Sequence, residues 1–190
     1  MKRLISGLAI SAGAAVLTGC GATPAQEASA PPAADGLTVT VSRTHIYTSI
    51  RDLAGDVATI AVVDVVPGTA NAVPADGDGK SPIPASTVSI TMVNALRGSL
   101  PSPATVRLIT SPVGDSEVPP ALEEGHRYLL FLSQFEWEPG VPTGEWTVPG
   151  GAGIYEISKD DGSLSLLSRG EDAVPTRFAS VAAARQALGG

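Results

Sequence analysis

Residues 57–66, VATIAVVDVV, constrain the fold of this chain more than any other segment. Apolar side chains occupy both alternating faces, so a strand here must be covered on two sides. Residues 126–133, HRYLLFLS, form a second run of the same kind. Around these two runs the hydrophobic period is two. Residues 87–96 (TVSITMVNAL) place Val88, Ile90 and Met92 on one face and Thr87, Ser89 and Thr91 on the other. The apolar phase then slips to Val93 and Ala95 before Arg97-Gly98, which predicts a bulge or strong twist. Residues 105–109 read as a strand with Val106 and Leu108 inward. Short strands follow at 145–148, 153–157 and 164–167, with Asp161-Gly162 as a hairpin turn between the last two.

The gaps between these strands are too short for parallel crossovers. Two helices frame them. One is predicted at 48–54, with Ile50, Leu53 and Ala54 on one face and Gly55 ending it. The other closes the chain: Phe178, Val181, Ala182, Arg185 and Leu188 lie at helical spacing, Thr176 caps the start and Gly189 the end. Residues 67–86 are so rich in Pro, Gly and Asp that a long loop without regular structure is expected. The expected class is mainly β: a small barrel or sandwich of about six or seven strands, with a short helix before it and a helix at the C-terminus.

This domain is expected to span 37–190, because what precedes it reads as an address. Residues 1–20 are MKRLISGLAISAGAAVLTGC, in which Lys2 and Arg3 precede an apolar stretch from Leu4 to Leu17. That is the order of an export signal, here 1–19, and the run is too short and too rich in small residues for a spanning helix. Leu17-Thr18-Gly19-Cys20 resembles the bacterial lipobox. The resemblance implies a diacylglyceryl group on the Cys20 sulfur, recognition of Leu17, Thr18 and Gly19 by a dedicated peptidase, and cleavage before Cys20. Such acyl chains hold a protein on a membrane, each buried methylene contributing about 0.8 kcal/mol. Residues 21–36 (GATPAQEASAPPAADG) carry no large apolar side chain and read as a flexible Ala/Pro-rich tether. The localisation expected is the extracytoplasmic face of the cell membrane, reached through lipid.

Charge and composition exclude several functions. The chain has 12 Lys+Arg against 19 Asp+Glu, a formal net charge of -7. Removing Lys2 and Arg3 with the leader leaves 10 against 19, or -9. No nucleic-acid partner is expected of such a chain. One Cys and two His exclude an internal disulfide framework and a Cys- or His-rich zinc site. The sequence PADGDGKS at 74–81 ends like a phosphate loop. Pro74 stands where that loop needs Gly, however, and Pro82 and Pro84 block the helix that must follow. Asp76 and Asp78 resemble the start of a calcium loop, but Thr87 takes the place of its closing Glu. The glycines at 150–153 lack a βα context and read as a close backbone approach. No nucleophile elbow occurs. His45 and His126 read as surface or edge histidines, and adjacent Glu123 and Glu124 point apart on an extended segment. Neither a catalytic constellation nor a cofactor is expected.

The order of motifs does resemble a known group. A short helix leads into the strand at 53–66, and a second strand ends in Leu96-Arg97-Gly98. Residues 122–132 (LEEGHRYLLFL) follow, and a glycine step at 149–155 (PGGAGIY) enters a short strand. Over residues 46–157 this is similar to secreted or lipid-anchored actinobacterial and firmicute proteins of unknown function. The resemblance implies an OB-like barrel of the netrin/tissue-inhibitor-of-metalloproteinase class. That class inhibits through an N-terminal Cys and disulfides. Cys20 is expected to carry lipid instead, so only the fold is carried over.

The remaining feature is aromatic. Phe135, Trp137 and Trp146 gather with Glu136, Glu138 and Glu145 in a loop or hairpin. They form either a binding surface or rings stacked across a hairpin over one end of the barrel. The functional expectation is a lipid-anchored, non-catalytic binding module for an extracytoplasmic protein or ligand. The alternatives are an envelope inhibitor of a protease or other hydrolase, and a structural envelope component.

Overall fold

A computed structural model describes residues 45–74, 84–110, 119–168 and 170–189. The lipobox, the tether and the acidic loop with Asp76 and Asp78 lie outside these residues. Helix α1 (Ile50–Gly55) begins the described chain. Ser49 caps it by accepting from the Asp52 N–H, and Asp52 in turn accepts from the Thr48 N–H at 2.9 Å. That backbone bond from Thr48 chiefly holds the Asp52 carboxyl below its usual range.

The chain then enters β1 (Thr59–Val65), whose residues are buried on both faces except for Asp64. Strands β3 (Ala85–Arg97), β4 (Ala104–Ile109), β5 (Arg127–Glu138) and β6 (Val141–Thr147) complete a ring with it. The order is β1-β3-β4-β6-β5, closed by an antiparallel β1–β5 pairing from Thr59↔Leu132 to Asp64↔Arg127. All pairings in the ring are antiparallel except β4–β6, which is parallel and rests on one residue pair, Val106↔Trp146. This is a five-stranded, OB-like closed barrel.

Closure creates two apolar compartments. The barrel interior receives side chains from all five strands, among them Val63, Ile90, Val106, Leu108, Leu130 and Trp146. The opposite faces of β1 and β5 present Ile60, Val62, Leu129 and Phe131 to a second cluster outside the wall. That cluster is roofed by α1, by β7 (Ile154–Ile157), β8 (Leu164–Leu166) and β9 (Arg177–Phe178), and by α2 (Val181–Leu188). The two-sided burial expected at 57–66 and 126–133 therefore has a specific cause: each strand separates the barrel core from an outer core.

The slip in the pattern of β3 is a real irregularity. Ile60 faces Arg97 while Ala61 faces Ala95, and Val62 faces Asn94 while Val63 faces Met92. Leu96 and Val93 are the extra residues, and Val93 turns 47% exposed. At the strand's end the Arg97 guanidinium donates to the carbonyls of Ala54 and Val57, so β3 caps the C-terminus of α1. Gly98 then reverses the chain with a φ of 69°.

Several sequence expectations need correction. Residues 67–86 are not wholly irregular: β2 (Asn71–Val73) pairs antiparallel with Ala85–Thr87 at the start of β3. A backbone ladder forms this short strand, and apolar composition gives no sign of it. Strand β5 runs on to Glu138 and β6 begins at Val141, so Phe135 and Trp137 sit on a strand. Phe178 belongs to β9, where it pairs with Leu164, and not to the final helix. That helix is capped by Ser180, which accepts from the Ala183 N–H, and not by Thr176. Gly189 ends it with φ 90° as expected. Among the described residues the sheet has nine strands, the five of the barrel and four short additional ones, β2, β7, β8 and β9. The glycines at 150–153 form one 3-10 turn, and a Cβ on Gly151 would lie 2.7 Å from the Ser168 hydroxyl, the close approach expected.

The β7–β8 hairpin turns at Asp161-Gly162, and the Ser163 N–H donates to Asp161 at 3.0 Å. Hydrogen bonds from the Ser163 N–H, the Ser163 hydroxyl and the Ser158 hydroxyl hold the Asp161 carboxyl down to about 2, against an ordinary 3.8. A depressed folded-state value adds stability that is fully present above the ordinary value and is lost as pH falls through about 2. Asp161→Asn keeps an acceptor but removes the titration. Its unfolding midpoint is expected to fall less steeply than the parent's between about pH 4 and pH 2. Parallel acid-limb slopes would show that the turn does not discriminate between protonation states.

Candidate functional site

Alternation along the strands sorts the aromatic cluster into two groups. Val106 and Leu108 face the barrel interior, so Arg107 between them faces outward. Trp146 faces inward, 7% exposed, and its neighbour Glu145 faces outward. On β5, Phe135 and Trp137 follow the outward phase of Leu129 and Phe131. Trp146 is therefore a core residue, and the surface group is Phe135, Trp137, Arg107 and Glu145.

These four make one packed unit. The Phe135 and Trp137 rings meet edge to face, with centroids 4.7 Å apart and planes at 79°. They lie two residues apart on one strand and do not stack across the hairpin. The Arg107 guanidinium carbon sits 5.4 Å from the Phe135 centroid and 5.3 Å from that of Trp137. Its Nε donates to Glu145 Oε2 at 2.5 Å and its Nη2 to Oε1 at 3.4 Å. The Arg107 side chain is 8% exposed and that of Glu145 25%. A guanidinium so desolvated is held by carboxylate and rings together. The pair also spans the β4–β6 seam beside its one backbone bridge.

A loose register shapes the surrounding hairpin. Gln134 faces Trp146 while Glu136 faces Pro142, and Glu138 faces Val141. The spare residues are held locally: the Thr143 hydroxyl donates to the Phe135 carbonyl at 2.8 Å and accepts from the Glu145 N–H. The Gly140 N–H donates to Glu136 across the turn. The result is an open groove of about 900 Å³ lined by Arg107, Trp137, Glu138, Val141, Pro142, Thr143 and Glu145. Sequence reading found Trp137 but missed Arg107. Its signal was a lone charge between Val106 and Leu108 on a core strand.

The histidines and the remaining paired carboxylates lie elsewhere. The His126 Nδ1 is 2.5 Å from Glu156, and its Nε2 is 3.6 Å from Glu123. The Glu123 N–H donates to the Tyr128 hydroxyl, whose pKa burial pushes up. Glu124 turns away and accepts from the Gly68 N–H at 2.6 Å, so the two glutamates do point apart. His45 lies 3.5 Å from Asp52 at an exposed site. Arg127 donates twice to Asp64, which lowers the Asp64 carboxyl's pKa. Among the described residues no group of three or more His, Cys, Asp or Glu is placed to hold a metal. None of their helices is long and apolar enough to cross a membrane.

No protein-family model matches this chain, and no curated protein matches it.

Proposed function

We propose that this chain is a lipid-anchored, extracytoplasmic binding module whose ligand lies in the groove beside the β4–β6 seam. One observation carries the reading. A nearly buried arginine, packed on two outward aromatic rings and paired with a carboxylate, forms the wall of an open groove rather than part of either core. Rigid aromatic and charged side chains gathered in a concavity are how binding surfaces achieve selectivity. The location adds support, since barrels of this topology bind ligands partly through the loop joining their last two strands, and the groove lies along the β5–β6 hairpin that carries it. The anchor rests on Leu17, Thr18, Gly19 and Cys20, and the tether at 21–36 supplies reach.

Two variants test the two halves. Cys20→Ser is expected to abolish acyl labelling and release the protein from the membrane fraction. Unlabelled protein that stays in the membrane fraction defeats the anchor. In intact cells, a photo-crosslinking side chain at exposed Val141 in the groove is expected to capture a discrete species that the same probe at exposed Lys159 does not. Identical capture patterns at both positions defeat the groove.

A further inference from the structure

We propose that the groove binds an uncharged glycan segment, an inference that rests on the binding-module reading of the same groove. Within its lining Arg107 and Glu145 are in contact, which places donors beside acceptors and compensates those two charges. A sugar's neighbouring hydroxyls, each both donor and acceptor, match that alternation. A charged ligand gains no net attraction from it. Anionic polymers are further opposed by Glu138 on the groove and by the chain's net charge of -7. A cationic ligand is drawn by Glu138 but repelled by the Arg107 guanidinium that lies against both rings, so the two effects offset each other.

The apolar lining fits the same ligand. Trp137 is fixed by Phe135 and Arg107, so a C–H face of a sugar ring meets a platform that loses little freedom on binding. Pro142 lends a further apolar surface and has no N–H, which weakens this edge for an added peptide strand. The Thr143 hydroxyl, which donates to the Phe135 carbonyl and accepts from the Glu145 N–H, keeps one lone pair as an acceptor at the rim. The groove's volume of about 900 Å³ and open form suit a run of several rings.

The test uses the full chain in a zwitterionic detergent, because glycoside detergents would compete. Maltotetraose, cellotetraose, chitotetraose and mannotetraose are titrated by calorimetry, with trigalacturonate as the anionic comparator. At least one neutral oligosaccharide is expected to saturate, and trigalacturonate to bind more weakly. Trp137→Ala is expected to weaken binding roughly tenfold or more, with Trp137→Phe recovering most of it. Should Trp137→Ala not fold, Thr143→Val is expected to weaken binding several-fold. The proposal fails if no neutral oligosaccharide saturates, if trigalacturonate binds equally well, or if the variants that fold bind like the parent. If neutral glycans fail while the Val141 probe still captures its own species, the glycan assignment falls and the binding module stands.

Discussion

Phe131→Ala is expected to cost about 3–5 kcal/mol of folding stability, the largest effect of any single truncation considered. Phe131 is 0% exposed and sits mid-way along β5, on the strand face that looks away from the barrel interior. Its ring centroid lies 6.1 Å from that of Tyr155, which lies 5.4 Å from Phe178. Deleting the ring opens a void where β5, β7 and the C-terminal layer meet. Neighbouring strands are pinned by backbone pairing and cannot collapse into it. Urea unfolding monitored by circular dichroism should show a lowered midpoint. A loss below about 1 kcal/mol would mean that the outer cluster is not a packed core.

Gly98→Ala is expected to cost about 2–5 kcal/mol. A left-handed φ disfavours any L side chain by about 1–2 kcal/mol. Here a Cβ would also lie 2.5 Å from the Ala58 carbonyl oxygen and 3.1 Å from the Thr59 Cα. Those atoms belong to the start of β1 and cannot yield like a side-chain tip, so over-packing adds about 1–3 kcal/mol. Gly125→Ala is the comparison: its φ is 73°, but a Cβ there meets nothing within 4 Å. The melting temperature of Gly98→Ala is expected to drop by several degrees more than that of Gly125→Ala. Equal drops would show that φ alone sets the cost and that the backbone contact is slack.

The same two residues show how much of the fold is legible in the sequence. Phe131 belongs to a run apolar in both phases, and two-sided burial follows from that pattern alone. The bulge in β3 is equally readable, because the apolar phase visibly slips at Val93. Gly98 could be seen as a turn, but its tight approach to Ala58 depends on where β1 begins, which no local pattern encodes. Strand β2 was hidden because its three residues owe their form to pairing with Ala85–Thr87. Phe178 was misplaced because its spacing from Val181 and Arg185 imitates a helix, while long-range pairing with Leu164 decides its state.

The candidate site was half legible. Phe135 and Trp137 alternate with Glu136 and Glu138, a period of two that marks a strand with one aromatic face. The equivalence of Trp146 to them was an error of phase, since one position separates it from outward-facing Glu145. Arg107 joins the site only through closure of the ring, which brings β4 beside β6 across a long stretch of sequence.

That closure carries a topological consequence. With one ladder pair, Val106↔Trp146, and the Arg107–Glu145 contact beside it, the β4–β6 seam is the joint of the ring with the least backbone pairing. On the binding-module reading, a ligand in the groove would touch Arg107 and Glu145. Its binding would then favour the closed wall over any state in which that seam parts, and occupancy would act as a clasp.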